Sequence, residues 1–451
     1  MDLTLQLYHE GAWHNAGVLT LGEPERGHQG ATRFAYDPDY FYEHGAIALA
    51  EDRPVVDARA VSVRFPVDLA DRSEPTWPAF LLDLLPQGHA RLKLSEAMGL
   101  DPNAIATEVP LLLRGAGAPI GNMRIKEAHE QEAERIANLP RLGVTMNEIL
   151  EKSDRFLEVS DYYAMVASGS SGLQGEWPKV MMTLKDDGLW YPDSVVTDHE
   201  ARRHVIVKLL RGNRGDELIL EGEARYAMLA AAFGIRVHAV EHYRYNRDAG
   251  VLVIPRFDRA VTDQGLVRYG QESLVAAAGI AAFAHSDKHE TYLEVLRRYS
   301  SEPLADVTEY VLRDALNLAT GNPDNHGRNT ALTKRADGTI RLSPLFDYAP
   351  MRIAENSLGR PTKWACMQRT GRDATPDWAE VCRTAAADTL PAQEIMAALL
   401  EREHLFRTLP DVARQHGVPE PVIERAIEGQ YRAIAEGIAD IAAHVRAPGV
   451  Q

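Results

Sequence analysis

The chain has 451 residues, long enough for two or three domains with separate cores. Apolar residues at 45% and charged residues at 25% are ordinary globular values, and no apolar run approaches the ~18 residues that a transmembrane helix requires. The formal net charge of −16 argues against direct nucleic-acid binding, which needs clustered cations to displace counterions.

The opening "MDLTLQLYHEGAWHN" lacks a basic start followed by an apolar core, so no signal peptide is expected. Together with only two cysteines, Cys366 and Cys382, this implies a reducing cytoplasm and no disulfide framework. Neither cysteine lies in CxxC, the sixteen histidines are scattered, and no Cys/His spacing suits zinc, so a structural metal is not expected.

In chain order, "LTLQLYH", "GAWHNAGVLTL", "TRFAYDPDYF" and "AVSVRFPV" read as short strands, alternating or rich in β-branched and aromatic residues. "PTWPAFLLDLLPQGHARLKLSEAMGL" reads as helix, broken at Pro86 and stopped near Gly99. A first, β-rich unit therefore spans 1–126, and the charged helical stretch 127–160 follows as a connector. "PKVMMTLKDDGLWYPD" is a hairpin turning at Asp187-Gly188, and "RHVIVKLL" is a further strand. "EGEARYAMLAAAFG" is a helix with Gly234 as its stop, and "VHAVEHYRYN" and "GVLVIPRFDRA" are two more strands. These make a sheet lobe over 161–260. From 261 to 451 the pattern is helical, and core packing explains its amphipathic tail. The fold class is α+β: a small N-terminal β-rich domain, then a β-sheet lobe and a mostly helical lobe.

The densest chemistry lies in "GNPDNHGRN", residues 321–329, directly after the helix-like "YVLRDALNLAT". Asp324 and Asn329 are five apart, and "SPLFDYAP" places Asp347 eighteen residues after Asn329. Between them "TALTKRADGTIRLSP" reads as strand–turn–strand around Asp337-Gly338, which returns Asp347 toward the 321–329 loop. An acid for a hydroxyl, with Asn and Asp oxygens as hard Mg²⁺ ligands, is the logic of a kinase catalytic loop. A polar turn at a helix end would give "PDNHGRN" alone equally well; the added Asp347 favours the catalytic reading. Lys208 ends the strand "HVIVK" and Glu223 opens the next helix, as a phosphate-binding lysine and its orienting acid would. An edge lysine and a first-turn acid are the structural alternatives. "ASGSSGLQGEWPK", with Ser168, Gly169, Ser170, Ser171, Gly172 and Gly175 leading to Lys179, can offer backbone N–H groups to phosphates or be a plain surface loop. "PRFDR" at 255–259 reads first as structural, although Arg256 and Phe257 stand where an adenine-contacting hinge would be.

These segments occur in an order that resembles the HipA-like serine/threonine kinases. The likeness runs through "GEWPK", "IVKL", "EGEARYAMLAAAFGI", "VIPRFDR", "YGQESL", "DNHGRN" and "LFDYAP", with "FLLDLLPQG" and "GAGAPIGNMRI" ahead of them. The resemblance implies a protein-kinase-like two-lobed core using ATP and Mg²⁺ to phosphorylate a protein serine or threonine. Asp324 would be the catalytic base, Asn329 and Asp347 the Mg²⁺ ligands. Lys208, Lys179, Glu223, Gly172, Gly175, Ser170, Ser171, Arg256, Phe257 and His326 would form the nucleotide site. It further implies an aminoacyl-tRNA synthetase as a protein substrate, a DNA-binding antitoxin as partner, and autophosphorylation at Ser168, Ser170 or Ser171. The loop departs from the family's usual form in carrying Trp177, and Pro255 stands where an acidic residue can contact adenine. Two rivals remain: a phosphotransferase for small molecules or lipids, and a non-catalytic pseudokinase binding module. Against a lipid stand the acidic balance and the absence of a basic amphipathic helix.

Overall fold

The computed structural model describes residues 1–167, 178–210, 212, 215–283, 285–355, 359–368, 371 and 375–445. The fold is mixed α and β, with an N-terminal sheet, and the chain divides into two compact units, neither continuous in sequence. The first comprises Met1–Arg211, Asp248–Phe283 and Ala331–Ile340; the second comprises Gly212–Arg247, Ala284–Thr330 and Arg341–Gln451.

In the first unit, Asp2–His9 and Ala12–Leu21 form an antiparallel hairpin. Its two-residue turn uses Glu10 and Gly11, both at positive φ (52° and 80°), the twist that suits a tight hairpin. The hairpin sits inside a five-stranded sheet ordered Arg72–Glu74, Thr32–Tyr36, Ala12–Leu21, Asp2–His9, Met123–Ile125. Leu3, Leu5, Leu7, Leu19 and Phe34 enter a core completed by Trp77, Phe80, Leu111 and Leu112. The expected strand "AVSVRFPV" does not form: only an isolated Ser62–Phe65 bridge occurs there. Its backbone instead wraps a buried carboxylate. Ser62 Oγ donates to Glu272 at 2.5 Å and the Val63 N–H donates to it at 2.9 Å. Lys334 Nζ closes that cluster, 3.0 Å from Glu272 and from the Ala60 carbonyl.

A second antiparallel sheet of this unit runs Trp190–Pro192, Lys179–Leu184, Arg203–Leu209, Val251–Pro255. The Asp187-Gly188 turn forms, with Gly188 at φ +80°. The helices Met146–Leu150 and Asp154–Ala167, the first inside the stretch read as a connector and the second beginning in it, supply Ile149, Phe156 and Val159 to this sheet's core beside Met182, Val205, Val207 and Val253.

Beside that sheet lies a buried ion cluster. Asp193 meets Arg256 at 3.1 Å, Arg259 at 3.1 Å and His204 at 3.3 Å, and accepts from Thr183 Oγ1 at 2.5 Å. Arg256 also donates through two nitrogens to Asp258, at 2.7 and 2.9 Å. Burial alone would raise the Asp193 carboxyl, but the Arg259 and Arg256 guanidiniums and the His204 hydrogen bond hold it well below its ordinary value.

The second unit is helical. Asp216–Ala232 ends at Gly234, whose φ of +79° terminates the helix as the sequence anticipates. "VHAVEHYRYN" yields a 3₁₀ turn, Val240–His242, and only a three-residue strand, Arg244–Asn246. His289–Tyr299 and Pro303–Ala319 follow, then Trp378–Ala386, Ala392–Glu401 and the shorter helices of the tail. Pro303–Ala319 is anchored at its start by Asp306, which is fully buried. It accepts from Arg236 at 2.6 Å, Ser300 at 2.6 Å and the Leu342 N–H at 2.8 Å.

Removing one member of a buried ion cluster leaves its partners charged and unpaired, so Asp193→Ala should cost about 3–5 kcal/mol in guanidinium denaturation at neutral pH. A depressed folded-state pKa contributes stability that is full above the unfolded carboxylate value near 4 and is lost as pH falls. Melting curves from pH 7 to 3 should therefore fall less steeply below about pH 4 in Asp193→Asn than in the wild type.

Candidate active site

Pro303–Ala319 delivers the chain into the polar knot. Gly321 makes the exit at φ +67°, and a Cβ there would meet the Ala426 carbonyl at 2.6 Å, so only glycine fits. The loop is then held by its own amides. The Asn322 N–H donates to the Asn317 carbonyl at 2.9 Å, its Nδ2 to Asn317 Oδ1 at 2.9 Å, and its Oδ1 accepts from the Asp324 N–H at 3.2 Å. Asn325 exchanges hydrogen bonds with Thr362: its Nδ2 donates to the Thr362 carbonyl at 3.0 Å, while Thr362 Oγ1 donates to the Asn325 carbonyl at 2.8 Å. Gly327 packs against Tyr292 so closely that a Cβ would lie 2.2 Å from the ring. Asn329 Nδ2 donates to the Asp324 carbonyl at 3.1 Å, which turns its Oδ1 the other way. His326 Nε2 lies 3.3 Å from Asp324 Oδ1.

Strand–turn–strand follows as the sequence anticipates: Ala331–Lys334, a turn with Gly338 at φ +89°, then Ile340–Leu342. The segment after it is pinned to the same helix. Arg313 donates to the Ser343 carbonyl at 2.6 Å, Tyr348 OH and Thr320 Oγ1 are 2.6 Å apart, and the Arg352 N–H donates to the Gly321 carbonyl at 3.1 Å. Between these ties Asp347 sits at φ +50°, in the left-handed region that a non-glycine residue seldom occupies. Asp324, Asn329 and Asp347 line one pocket of the second unit.

Beneath the loop is a buried layer that sequence reasoning missed. Asp314 accepts from Arg360 at 2.5 Å and from Trp364 Nε1 at 2.8 Å, and lies 3.4 Å from Asn325 Nδ2 and from His289 Nε2. His289 donates or accepts at 2.9 Å with Tyr310 OH and stacks on Trp364, centroids 4.4 Å apart. Burial pushes His289 down to about 4 against the pull of Asp314, so it is neutral at pH 7. Burial works against the Asp314 charge, yet Arg360 and His289 hold its carboxyl below its ordinary value. In "LRDALNL" Asp314 reads as the polar face of a helix; only its charge within an otherwise apolar turn hinted at burial.

The remaining expected residues fall as follows. In the first unit, Lys208 is buried and Lys179 half-buried, and they pair directly across adjacent antiparallel strands. Arg256 is not disposed as a nucleotide contact: its guanidinium is wholly buried and committed to Asp258, Asp193 and Met181 Sδ. Phe257 is half-buried. In the second unit, Glu223 is buried on the helix Asp216–Ala232. Ser168, Ser170, Ser171, Gly172 and Gly175 lie outside the described residues.

Comparison with known proteins fits this arrangement. The HipA-like C-terminal domain matches residues 171–405, more than half of the chain. The chain belongs to this family. It is 29% identical over 320 residues to the Sinorhizobium fredii protein named "Putative kinase Y4mE", covering 67% of this chain and 72% of the relative. The fold matches a chain from the solved complex of the Shewanella oneidensis MR-1 toxin–antitoxin system, HipA, HipB and its operator DNA. The TM-score is 0.60 at 15% identity, covering 99% of this chain and all of that one. The HipA-like family is a kinase family, and membership implies use of ATP. Among the described residues no helix is long and apolar enough to cross a membrane.

Because Asp314 supports the loop from below, Asp314→Asn should lower stability by about 3–5 kcal/mol, leaving Arg360 without its counter-charge. Hydrogen exchange should show the amides of 321–329 and Thr362 losing protection ahead of those in the tail helices.

Proposed function

We propose that the protein is an ATP- and Mg²⁺-dependent kinase that phosphorylates a serine or threonine hydroxyl of a protein substrate. The observation that carries the reading is the meeting of Asp324, Asn329 and Asp347 in one pocket, the first two on a loop held by its own hydrogen bonds. Preorganised groups of this kind are what phosphoryl transfer asks of a protein, since positioning and charge neutralisation supply most of the catalysis.

Asp324 is the base. Its carboxylate orients the substrate hydroxyl and takes the proton as the hydroxyl oxygen bonds to the γ-phosphorus. The bond from phosphorus to the β–γ bridging oxygen breaks, and ADP leaves with that electron pair. His326, 3.3 Å from the Asp324 carboxylate, steadies it and is assigned with it to the nucleotide site. The donor set fits Mg²⁺: Asn329 Oδ1 and the Asp347 carboxylate are hard oxygens, and a site with one or two protein carboxylates suits this ion. Bound there, the cation would neutralise charge on the β- and γ-phosphates.

Lys208 and Lys179 support the reading from the first unit. Their cross-strand pairing sets two ammonium groups on one face of the sheet, where an anion such as a nucleotide phosphate is favoured. The Ser/Gly loop at 168–175 leads into the same strand and is assigned to the phosphates, with its serines as autophosphorylation sites. Glu223 and Phe257 are assigned to nucleotide binding. By its family the substrate would be an aminoacyl-tRNA synthetase, and the partner a DNA-binding antitoxin of the kind present in the Shewanella complex.

The deciding experiment is intact mass with peptide mapping after incubation with Mg-ATP and cell extract. Wild type should transfer phosphate to its own loop or to an extract protein. Loss of the base should slow transfer by about 10²–10⁴-fold in Asp324→Ala while nucleotide binding survives. Transfer at the wild-type rate in that variant would remove Asp324 from the mechanism. Asp347→Ala should differ in kind: ATP affinity should fall in the presence of Mg²⁺ and stay unchanged with the metal chelated, as read by calorimetry.

A further inference from the structure

Three histidines that take no part in the polar knot converge in the first unit. His9 ends one hairpin strand and His14 lies on the next. The register pairs His9 with Ala12 and Leu7 with His14, so the two imidazoles project from one face as diagonal neighbours. His44 arrives from a different element. Asp37 caps the short helix Pro38–Tyr40, accepting from the Asp39 N–H at 2.8 Å, and the chain widens into a π-helical turn, Phe41–Gly45. Single π turns of this kind recur at functional sites. The three ring centroids are 4.2, 4.4 and 4.8 Å apart, and one nitrogen from each ring lies within 4.8 Å of the others.

The hydrogen bonds decide which nitrogens carry the lone pairs. Tyr40 OH has one proton, and it goes to the Arg59 carbonyl at 2.7 Å. The Tyr40 oxygen must therefore accept from His9 Nε2, 3.1 Å away. Neutral His9 then carries its lone pair on Nδ1, which is buried and has no hydrogen-bond partner. His14 Nε2 lies 3.3 Å from the His9 carbonyl, which can only accept, so the lone pair of His14 is on Nδ1. His44 Nε2 is likewise buried without a hydrogen bond, its nearest charged neighbour being the exposed Glu43 carboxylate at 3.7 Å. Burial first, then the neighbouring imidazoles, push His9 down to about 3, and His44 is lowered for the same reasons.

A ligand nitrogen whose partner N–H is fixed by a carbonyl or hydroxyl is the usual outer-shell arrangement of a metal-binding histidine. Buried nitrogens without partners otherwise carry a desolvation cost. We infer that His9, His14 and His44 bind one divalent transition-metal cation of the zinc, nickel or copper class, which ties the 38–45 segment to the hairpin. Imidazole donors select these ions over Mg²⁺ or Ca²⁺. Glu43, whose carboxylate lies 3.7 Å from His44 Nε2, is the candidate fourth ligand, and bonding to one ion near ~2.1 Å requires the stacked His9 and His14 rings to turn about their side-chain bonds.

Co²⁺ titration of the untagged, chelator-treated full chain, followed by visible absorption and equilibrium dialysis, tests this. Wild type should bind one Co²⁺ per chain with the intense d–d bands of a low-symmetry four-coordinate site, displaced by Zn²⁺, and its melting temperature should rise with metal. His14→Gln, at a half-buried position, should fold as wild type without metal yet bind at least ~10-fold more weakly, with no melting shift. His44→Gln should behave alike, and His416→Gln, elsewhere on the chain, should change nothing. Equal binding by His14→Gln and wild type would mean scattered surface histidines only, and would overturn the site, as would a wild type without the bands. None of these readouts depends on phosphotransfer.

Discussion

A carboxylate with no route to solvent has to be matched from every side, and Asp314 meets that demand in a way that organises the second unit. Its partners come from three directions: Arg360 and Trp364 from the chain after the pocket, His289 from the preceding helix, and Asn325 from the loop itself. Each is placed by the need to satisfy one charge in a medium of low polarity. The polar knot is therefore an exposed layer resting on an internal one. Asp324 and Asn329 can point outward because Asn325, between them, points inward.

The first unit imposes its own constraint through register. Val205, Val207 and Met182 face the core of the second sheet, and a slip of one residue would send them to the opposite face. The same register fixes Lys179 opposite Lys208. Two like charges side by side would ordinarily weaken a sheet, so apolar packing on one face holds in place an electrostatic arrangement on the other. The Asp193 cluster lies beside the same sheet. Its charges are matched within the fold, and Arg256, attractive in the sequence as a hinge residue, is wholly buried among them.

Much of this was legible from residue patterns. The Asp187-Gly188 and Asp337-Gly338 turns, the strand carrying Lys208 and the glycine stop at 234 are written in local chemistry, where a left-handed residue or a two-residue period leaves few alternatives. "AVSVRFPV" shows where such reading fails. Its β-branched alternation is real, but Val61, Val63 and Phe65 are buried in a turn because Ser62 and Val63 serve Glu272, more than 200 residues away in sequence. Burial of Asp314 was equally hidden, since one acid on an amphipathic helix looks solvated until its partners arrive from distant segments. The histidines were unreadable for a related reason: His9 and His14 become neighbours through the hairpin, and His44 joins them only after the chain has passed through another strand and a π turn.

Asp347 is held at φ +50° with a side chain, where glycine would rest without strain. A backbone of that kind costs on the order of 1 kcal/mol, so the residue there reflects two opposed pressures. Libraries of variants sorted only for folding would enrich glycine at 347, whereas the proposed metal-binding role of Asp347 requires that libraries sorted for phosphotransfer discard it. A position where these two selections diverge separates what the fold tolerates from what its chemistry demands, and could be found in a relative without any structure.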